Sequence, residues 1–268
     1  MFNFFLENIM SEIQNYNHAH FCWLDLGTFN MDAASEFYSA LFNWEILRNN
    51  SQETGQYSMF LVNQKPVAGF YPLMQEQIDN HVPSHWMPYI KTDNIAETVS
   101  KAKENGANII ADVMTVPNEG SMALIQDSEG GMFGLWQPLN HIGSAYKDIP
   151  GAMCWFEYGC HNREKSIEFY QNVFGWSNET SQMGETLYTT FLSENGMVGG
   201  LYELPENMQE IPNHWLSYFA TENIDKCCEI VTQKDGNIIM PKMFVPGVGF
   251  FAVIQDSQGA VFGIVQGQ

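Results

Sequence analysis

The sequence predicts an α+β protein assembled from paired βαβββ modules, with two similar domains in tandem. Three observations carry that prediction. The stretch Gln126-Asp127-Ser128-Glu129-Gly130-Gly131-Met132-Phe133-Gly134 returns 129 residues later as Gln255-Asp256-Ser257-Gln258-Gly259-Ala260-Val261-Phe262-Gly263. Trp23 returns as Trp155, and Phe37-Tyr38 with Trp44 returns as Phe169-Tyr170 with Trp176, at a spacing of 132. Within each copy the order strand, helix, three strands occurs twice, so there is a repeat inside the repeat.

His85-Trp86 answers to His214-Trp215 at 129, which makes the second copy three residues shorter than the first. The units divide as an N-terminal arm (1–19), a first domain (20–138), a linker (139–150) and a second domain (151–268), each domain large enough for its own core.

In chain order, Phe21 to Leu26 alternates as a strand, with Phe21, Trp23 and Asp25 on one face and Cys22, Leu24 and Leu26 on the other. Asp32 to Phe42 reads as a helix with Ala34, Phe37, Tyr38 and Leu41 as its apolar stripe and Asn30 or Asp32 as cap. Strands follow at Gln56–Val62 and Lys65–Leu73, turned by Asn63-Gln64, and then a polar loop from Gln75 to Pro83. The strand from His85 precedes a helix capped by Asn94, with Glu97 completing a capping box and Ile95, Val99 and Ala102 inward. Asn105-Gly106 ends it. Strands at Ala107–Ala111, Ser121–Gln126 and Gly131–Gln137 close the copy. The second copy repeats this with a strand through Trp155 and Glu157, a helix Glu164–Val173, strands Leu187–Leu192 and Val198–Leu204, and the His214 strand. A helix from Asn223, ended by Gly236, and the hairpin Gly249–Ile254 with Ala260–Gln266 complete it.

Composition restricts the function. An apolar fraction of 45%, with 19 Phe and 7 Trp, suffices for two cores. A formal charge of -20 argues against nonspecific nucleic-acid binding and against docking on an anionic membrane, and suits a cationic ligand. Five cysteines without a spaced framework or a CxxC fit a reducing, cytoplasmic setting. Met1 to Ile9 carries Glu7 and no basic residue, so it is neither a good signal peptide nor a membrane span.

The doubled module order, the Phe-Tyr and Trp landmarks and the Asp-Ser-x-Gly turns resemble the vicinal oxygen chelate superfamily of glyoxalases, bleomycin-resistance proteins and extradiol dioxygenases. The likeness is closer to its tandem two-domain members of the mycobacterial 27-kDa antigen or hydroxylase-like type. The resemblance implies two cupped glyoxalase-like domains packed as an internal pseudo-dimer in a monomer, the second domain supplying what single-domain relatives obtain from a partner. It also implies metal-ligand positions. Carried onto this sequence they are Trp23, Met87 and Gly134 in the first copy and Trp155, Leu216 and Gly263 in the second. None of these holds a divalent cation, so no metal and no cofactor are expected.

Alternation nevertheless puts His85, Met87 and Tyr89 on one strand face, and His214, Leu216 and Tyr218 on the other copy's equivalent. With Trp23 and Asp25, and with Trp155 and Glu157, these form the candidate ligand-binding residues: an indole wall, a phenol, an imidazole and one carboxylate per cup. The expected activity is metal-independent binding of an aromatic or cationic small molecule. Two alternatives stay open, a lyase, isomerase or hydroxylase-like enzyme of the same superfamily and a ligand-free scaffold with filled cups. His81 and His85 lack helical geometry for a metal pair, Cys22 and Cys154 are placed opposite the tryptophans, and Cys227-Cys228 has no activating neighbour.

Overall fold

The computed structural model describes residues 11–51, 55–184 and 186–268, so the reading of Met1 to Ile9 lies outside the described residues. The first copy runs β1 (Phe21–Thr28), α1 (Met31–Phe42), β2 (Glu45–Ser51), β3 (Gly55–Val62), β4 (Lys65–Pro72), α2 (Gln75–Asp79) and β5 (His85–Lys91). It continues with α3 (Ile95–Glu104), β6 (Asn108–Val116), β7 (Gly120–Gln126) and β8 (Met132–Pro138). The second copy matches it with β9 (Met153–Cys160), α4 (Arg163–Phe174), β10 (Ser177–Met183), β11 (Thr186–Ser193), β12 (Gly196–Glu203) and β13 (His214–Ala220). Then come α5 (Ile224–Gln233), β14 (Asn237–Val245), β15 (Gly249–Gln255) and β16 (Val261–Gly267).

Each copy forms one eight-stranded sheet, in the orders β2-β3-β4-β1-β5-β8-β7-β6 and β10-β11-β12-β9-β13-β16-β15-β14. The central strands β1 and β5 pair antiparallel, while β1 with β4 and β5 with β8 are parallel, and this relation joins the two modules of each domain. The tandem α+β architecture is therefore as the sequence predicts. The edge strands β2, β10 and β14 are additions to that reading. Ser177-Asn178-Glu179-Thr180-Ser181-Gln182-Met183 is polar and fully exposed, so it carries no burial pattern to read. The polar loops after β4 and β12 contain the short helix α2 and a 3-10 turn, Glu206–Met208.

Three helices start at caps read from the sequence, with Asn30 and not Asp32 capping α1, and α4 starts at a cap not read there, Asn162. Asn30, Asn94, Asn162 and Asn223 each accept backbone N–H groups of their first turn. The expected capping box at Asn94 forms only by half: the Glu97 carboxylate takes Asn94 Nδ2 and not its backbone N–H. At the end of α5 the left-handed residue is Asp235, at φ 60°, and not Gly236. Gly236 answers a space requirement instead, since a Cβ there would lie 2.7 Å from the Gln255 carbonyl oxygen.

The repeated landmarks meet across the domain boundary. α1 packs on α5 and α3 on α4. Phe21 stacks on Phe156 with ring centres 3.9 Å apart, and Trp86 meets Phe219 edge-on. Trp44 Nε1 donates to the Gly151 carbonyl at 2.7 Å, and Trp176 Nε1 to that of Ala19 at 2.9 Å. Tyr38 Oη donates to Asp256 Oδ2 and Tyr170 Oη to Asp127 Oδ2, while Trp86 and Trp215 donate to those same phenol oxygens. The other oxygen of each aspartate closes its own turn, accepting N–H groups of Glu129 and Gly131 or of Gln258 and Ala260. Such multiply satisfied buried networks specify one arrangement of the two halves.

The two aspartate networks differ at Tyr158. Tyr158 also donates to Asp127 Oδ2, at 2.6 Å, and its ring occupies the space where a Cβ on Gly131 would stand. The equivalent residues in the other copy are Leu26 and Ala260. A large residue thus faces a glycine and a smaller one faces an alanine.

Because the helical faces meet, the concave faces of the sheets point away from the boundary. The expectation that the second domain completes the first cup is corrected, since each cup is walled by its own eight strands. The described part of the N-terminal arm is also fixed in place. Tyr16 is buried and donates to the Ser144 carbonyl of the linker, and Ile13 N–H bonds Ala145.

Candidate functional site

Strand register lays out the floor of each cup as rows of side chains. In the first, Leu47, Met59, Gly69, Asp25 and Met87 lie in one row, and Trp23, Tyr89, Gly134, Leu124 and Ala111 in the next. In the second, the rows are Glu179, Thr190, Gly200, Glu157 and Leu216, then Trp155, Tyr218, Gly263, Val253 and Met240. All ten sequence candidates therefore fall on concave faces: Trp23, Asp25, His85, Met87 and Tyr89 in one domain, Trp155, Glu157, His214, Leu216 and Tyr218 in the other.

At each centre a carboxylate gathers donors. Asp25 Oδ1 accepts Tyr57 Oη at 2.7 Å and Trp23 Nε1 at 2.9 Å, and the Tyr89 phenol lies close enough to help hold the carboxyl pKa down. Glu157 accepts Tyr188 Oη at 2.8 Å on one oxygen and Tyr218 Oη at 2.6 Å on the other, and Trp155 Nε1 donates to Tyr188 Oη at 2.8 Å. Trp23 Nε1 also meets Tyr57 Oη, at 3.1 Å, so the indole-to-phenol contact is common to both cups. Burial pushes both carboxyl pKa values up, and the hydrogen bonds pull them back. Donors alone surround these oxygens, a pattern that suits the anion.

The histidines stand apart from the carboxylates. His85 Nδ1 bonds the Pro83 carbonyl and His214 Nδ1 that of Pro212, both at 2.8 Å, and burial lowers both pKa values. A Cβ on Gly27 would meet His85 and Tyr71, which places that imidazole beside the phenol of β4.

Two placements are corrected. An extra residue in β1 pairs Phe21 with Ile90 but Trp23 with Tyr89, so Phe21 turns to the domain boundary while Trp23 stays in the cup. The same irregularity in β9 brings Cys154 into the apolar cluster of the second cup, with Leu216, Tyr218, Ala220, Val253 and Val265, and not opposite Trp155.

Sequence reasoning missed the outer-strand phenols Tyr57, Tyr71, Tyr188 and Tyr202. Their signal was available, since both pairs recur at 131, between the spacings of 132 and 129. That intermediate value splits the three-residue shortening: one residue is lost before Tyr188 and two more in the loop before β13. It also missed Lys91 and His141. Lys91 lies beyond Tyr89 on the concave face, across from Trp136, and is ion-paired with Asp93. His141 comes from the linker and sets its ring edge-on to Trp23, with centres 4.4 Å apart. Its Nε2 is buried without a partner, and burial lowers its pKa to about 4. Trp23 is consequently 4% exposed, whereas Trp155 is only half-buried.

The metal-ligand positions implied by resemblance do not fit a divalent cation. They carry Trp23, Met87 and Gly134, or Trp155, Leu216 and Gly263. A Cβ at Gly134 or Gly263 would lie 2.2 Å from the Tyr89 ring or 2.0 Å from that of Tyr218, so the phenols take the space a carboxylate would need. Among the described residues no three His, Cys, Asp or Glu side chains cluster to hold a metal ion.

Known proteins resemble this chain along most of its length. "Putative glyoxylase CFP32" of Mycobacterium tuberculosis is 31% identical over 247 residues, covering 91% of this chain and 93% of the relative. The anthracycline biosynthesis protein DnrV of Streptomyces peucetius is 25% identical over 258 residues, covering 91% and 92%. Among solved structures, the Mn(II)-bound glyoxalase from Novosphingobium aromaticivorans superposes with a TM-score of 0.64 at 11% identity, covering 93% of this chain and 82% of that one. For 2,2',3-trihydroxybiphenyl 1,2-dioxygenase from Sphingomonas wittichii the values are 0.65 and 8%, covering 94% and 91%. These distant structures share the fold alone. The model of the Glyoxalase/Bleomycin resistance protein/Dioxygenase superfamily matches residues 18–135 and 140–264, and the chain belongs to that superfamily in both of its domains.

Proposed function

We propose that this protein binds an aromatic, preferentially cationic, small molecule without a divalent metal, acting as a monomer in the cytoplasm. The observation that carries the reading is the carboxylate held by phenols and indole at the centre of each concave face, where tyrosine rings fill the place of a metal ligand. Aromatic walls supply area and a face for a cation, and one fixed anion supplies orientation. The second cup is the better candidate, because Trp155, Glu157 and Phe251 keep partial exposure. A relative named for anthracycline biosynthesis fits a flat ligand, since anthracyclines are fused-ring aromatics.

The test is a tryptophan-fluorescence titration with a flat aromatic cation such as N-methylquinolinium, before and after exhaustive chelation. Saturable quenching that survives chelation and weakens at least tenfold in Glu157→Gln is expected. Quenching that Glu157→Gln leaves unchanged, or that requires restored metal, would overturn the reading.

A second reading, a proton-transferring enzyme with Glu157 as base, is favoured by the upward shift that burial gives this carboxyl. Glu157-dependent deuterium uptake into a bound compound's acidic C–H position would support it.

A further inference from the structure

The two cups are alike at their carboxylates and unlike in charge. In the second, the concave row through Glu157 also carries Glu179, and the next inward residue of the central strand after Tyr218 is Ala220, set across from Val265. In the first, the residue equivalent to Glu179 is Leu47, and the one equivalent to Ala220 is Lys91, 7% exposed and across from Trp136. The other basic side chains beside these sheets turn elsewhere. Arg48 reaches Asp32 and Ser35 of α1, Lys65 pairs with Glu12, and Lys242 pairs with Asp225 of α5. From the linker, Lys147 and Asp148 act on Cys154 with opposite sign.

We infer that the residue at this position, Lys91 in one cup and Ala220 in the other, determines whether the cup takes a cation. The inference rests on the ligand-binding reading above and adds to it a charge rule. A positively charged aromatic ligand finds two acids and an apolar floor in the second cup. In the first it meets Lys91, two strand positions or about 7 Å along the strand beyond Tyr89. Its ammonium is ion-paired with Asp93, and the buried member of that pair is the positive one while the carboxylate is largely in solvent, so in a partly dry site the positive charge is the less screened. Lys91 is thus a specificity-determining residue for the first cup, which is left with uncharged or anionic aromatic ligands. His141, set against Trp23, narrows the same cup further.

Isothermal titration with N-methylquinolinium and with uncharged 2-naphthol, on the full chain and its variants, tests this. The unaltered protein is expected to take one equivalent of the cation. Ala220→Lys should weaken that binding at least tenfold while leaving 2-naphthol within about threefold, and the uncharged control Ala220→Met should leave both within about threefold. Should Ala220→Lys not fold, the converse variant decides: Lys91→Met should raise the cation stoichiometry from one to two. Equal weakening by Lys and Met at 220, or a stoichiometry unmoved by Lys91→Met while Glu157→Gln still abolishes the single site, would overturn the charge rule alone. Binding of neither probe to the unaltered chain would overturn the ligand-binding reading and this inference together.

Discussion

Ala19 and Gly151 hold equivalent backbone positions just ahead of the first strand of each domain, and each offers its carbonyl to the other domain's tryptophan. Both are left-handed, at φ 61° and 79°. For alanine that conformation costs about 1–2 kcal/mol, partly offset by the greater unfolded-state entropy of glycine. Ala19→Gly is therefore expected to raise stability by up to about 1 kcal/mol. Gly151→Ala should lower it by about 1–2 kcal/mol or more, because its Cβ would also stand 3.1 Å from Trp44 Nε1. Denaturant midpoints of the two variants decide; shifts of the same sign would contradict this account of the two positions.

At the scale of elements, the Asp127 turn and β9 form one fitted unit. Gly131→Ala should destabilise by pressing on Tyr158, and Tyr158→Leu should cost about 1–3 kcal/mol by removing a donor from the buried Asp127. Combining them recreates the Leu26 and Ala260 pairing of the other copy, so the double variant should be more stable than the sum of the single losses implies. A double-mutant cycle by urea unfolding measures the coupling, and strict additivity would refute it. The elements themselves were largely legible in the sequence. The asparagine caps, the Phe-Tyr stripe and the Asp-Ser turns were all visible, because local hydrogen bonding and periodicity leave traces in residue type. What Tyr38 and Trp44 do was not legible, since their partners in the other domain, Asp256 and Gly151, lie more than a hundred residues away. The inward set was readable by alternation from Asp25 and from His85 to Tyr89. Phe21 and Cys154 escaped it because one extra residue in each first strand breaks the period of two. Lys91 continues that alternation as one more inward position and was missed with no irregularity to hide it. His141 was hidden for another reason: it reaches the cup from the linker.

For the molecule as a whole, the buried acids set the response to pH. Burial raises the pKa values of Asp25, Asp127, Glu157 and Asp256. Such a group keeps its proton when folded at pH values where the unfolded chain has lost it. Its contribution is complete below the unfolded value near pH 4 and is lost as pH rises through the folded one. His20 and His141, lowered to about 4 by burial, act in the opposite sense between that value and about 6.5. A single variant isolates the acid. Asp127→Asn, which removes one titrating carboxyl, should cost more stability at about pH 4.5 than at about pH 7.5. Urea unfolding at both values checks this, and a penalty that grows with pH would contradict it.

The back-to-back packing of the domains also bears on how a duplicated sequence can change. Trp44 and Trp176, Tyr38 and Tyr170, and Asp127 and Asp256 are bound to each other's copies, so altering one strands a partner in the opposite half. Among the described residues, the carboxylates at the two cup centres are bound within their own domains. Lys91 could become alanine, Trp136 valine or Met122 phenylalanine, as at positions 220, 265 and 251, without disturbing the twin. A fused pair of this kind keeps a shared seam of interlocked residues while its two outer surfaces are free to acquire separate histories, one substitution at a time.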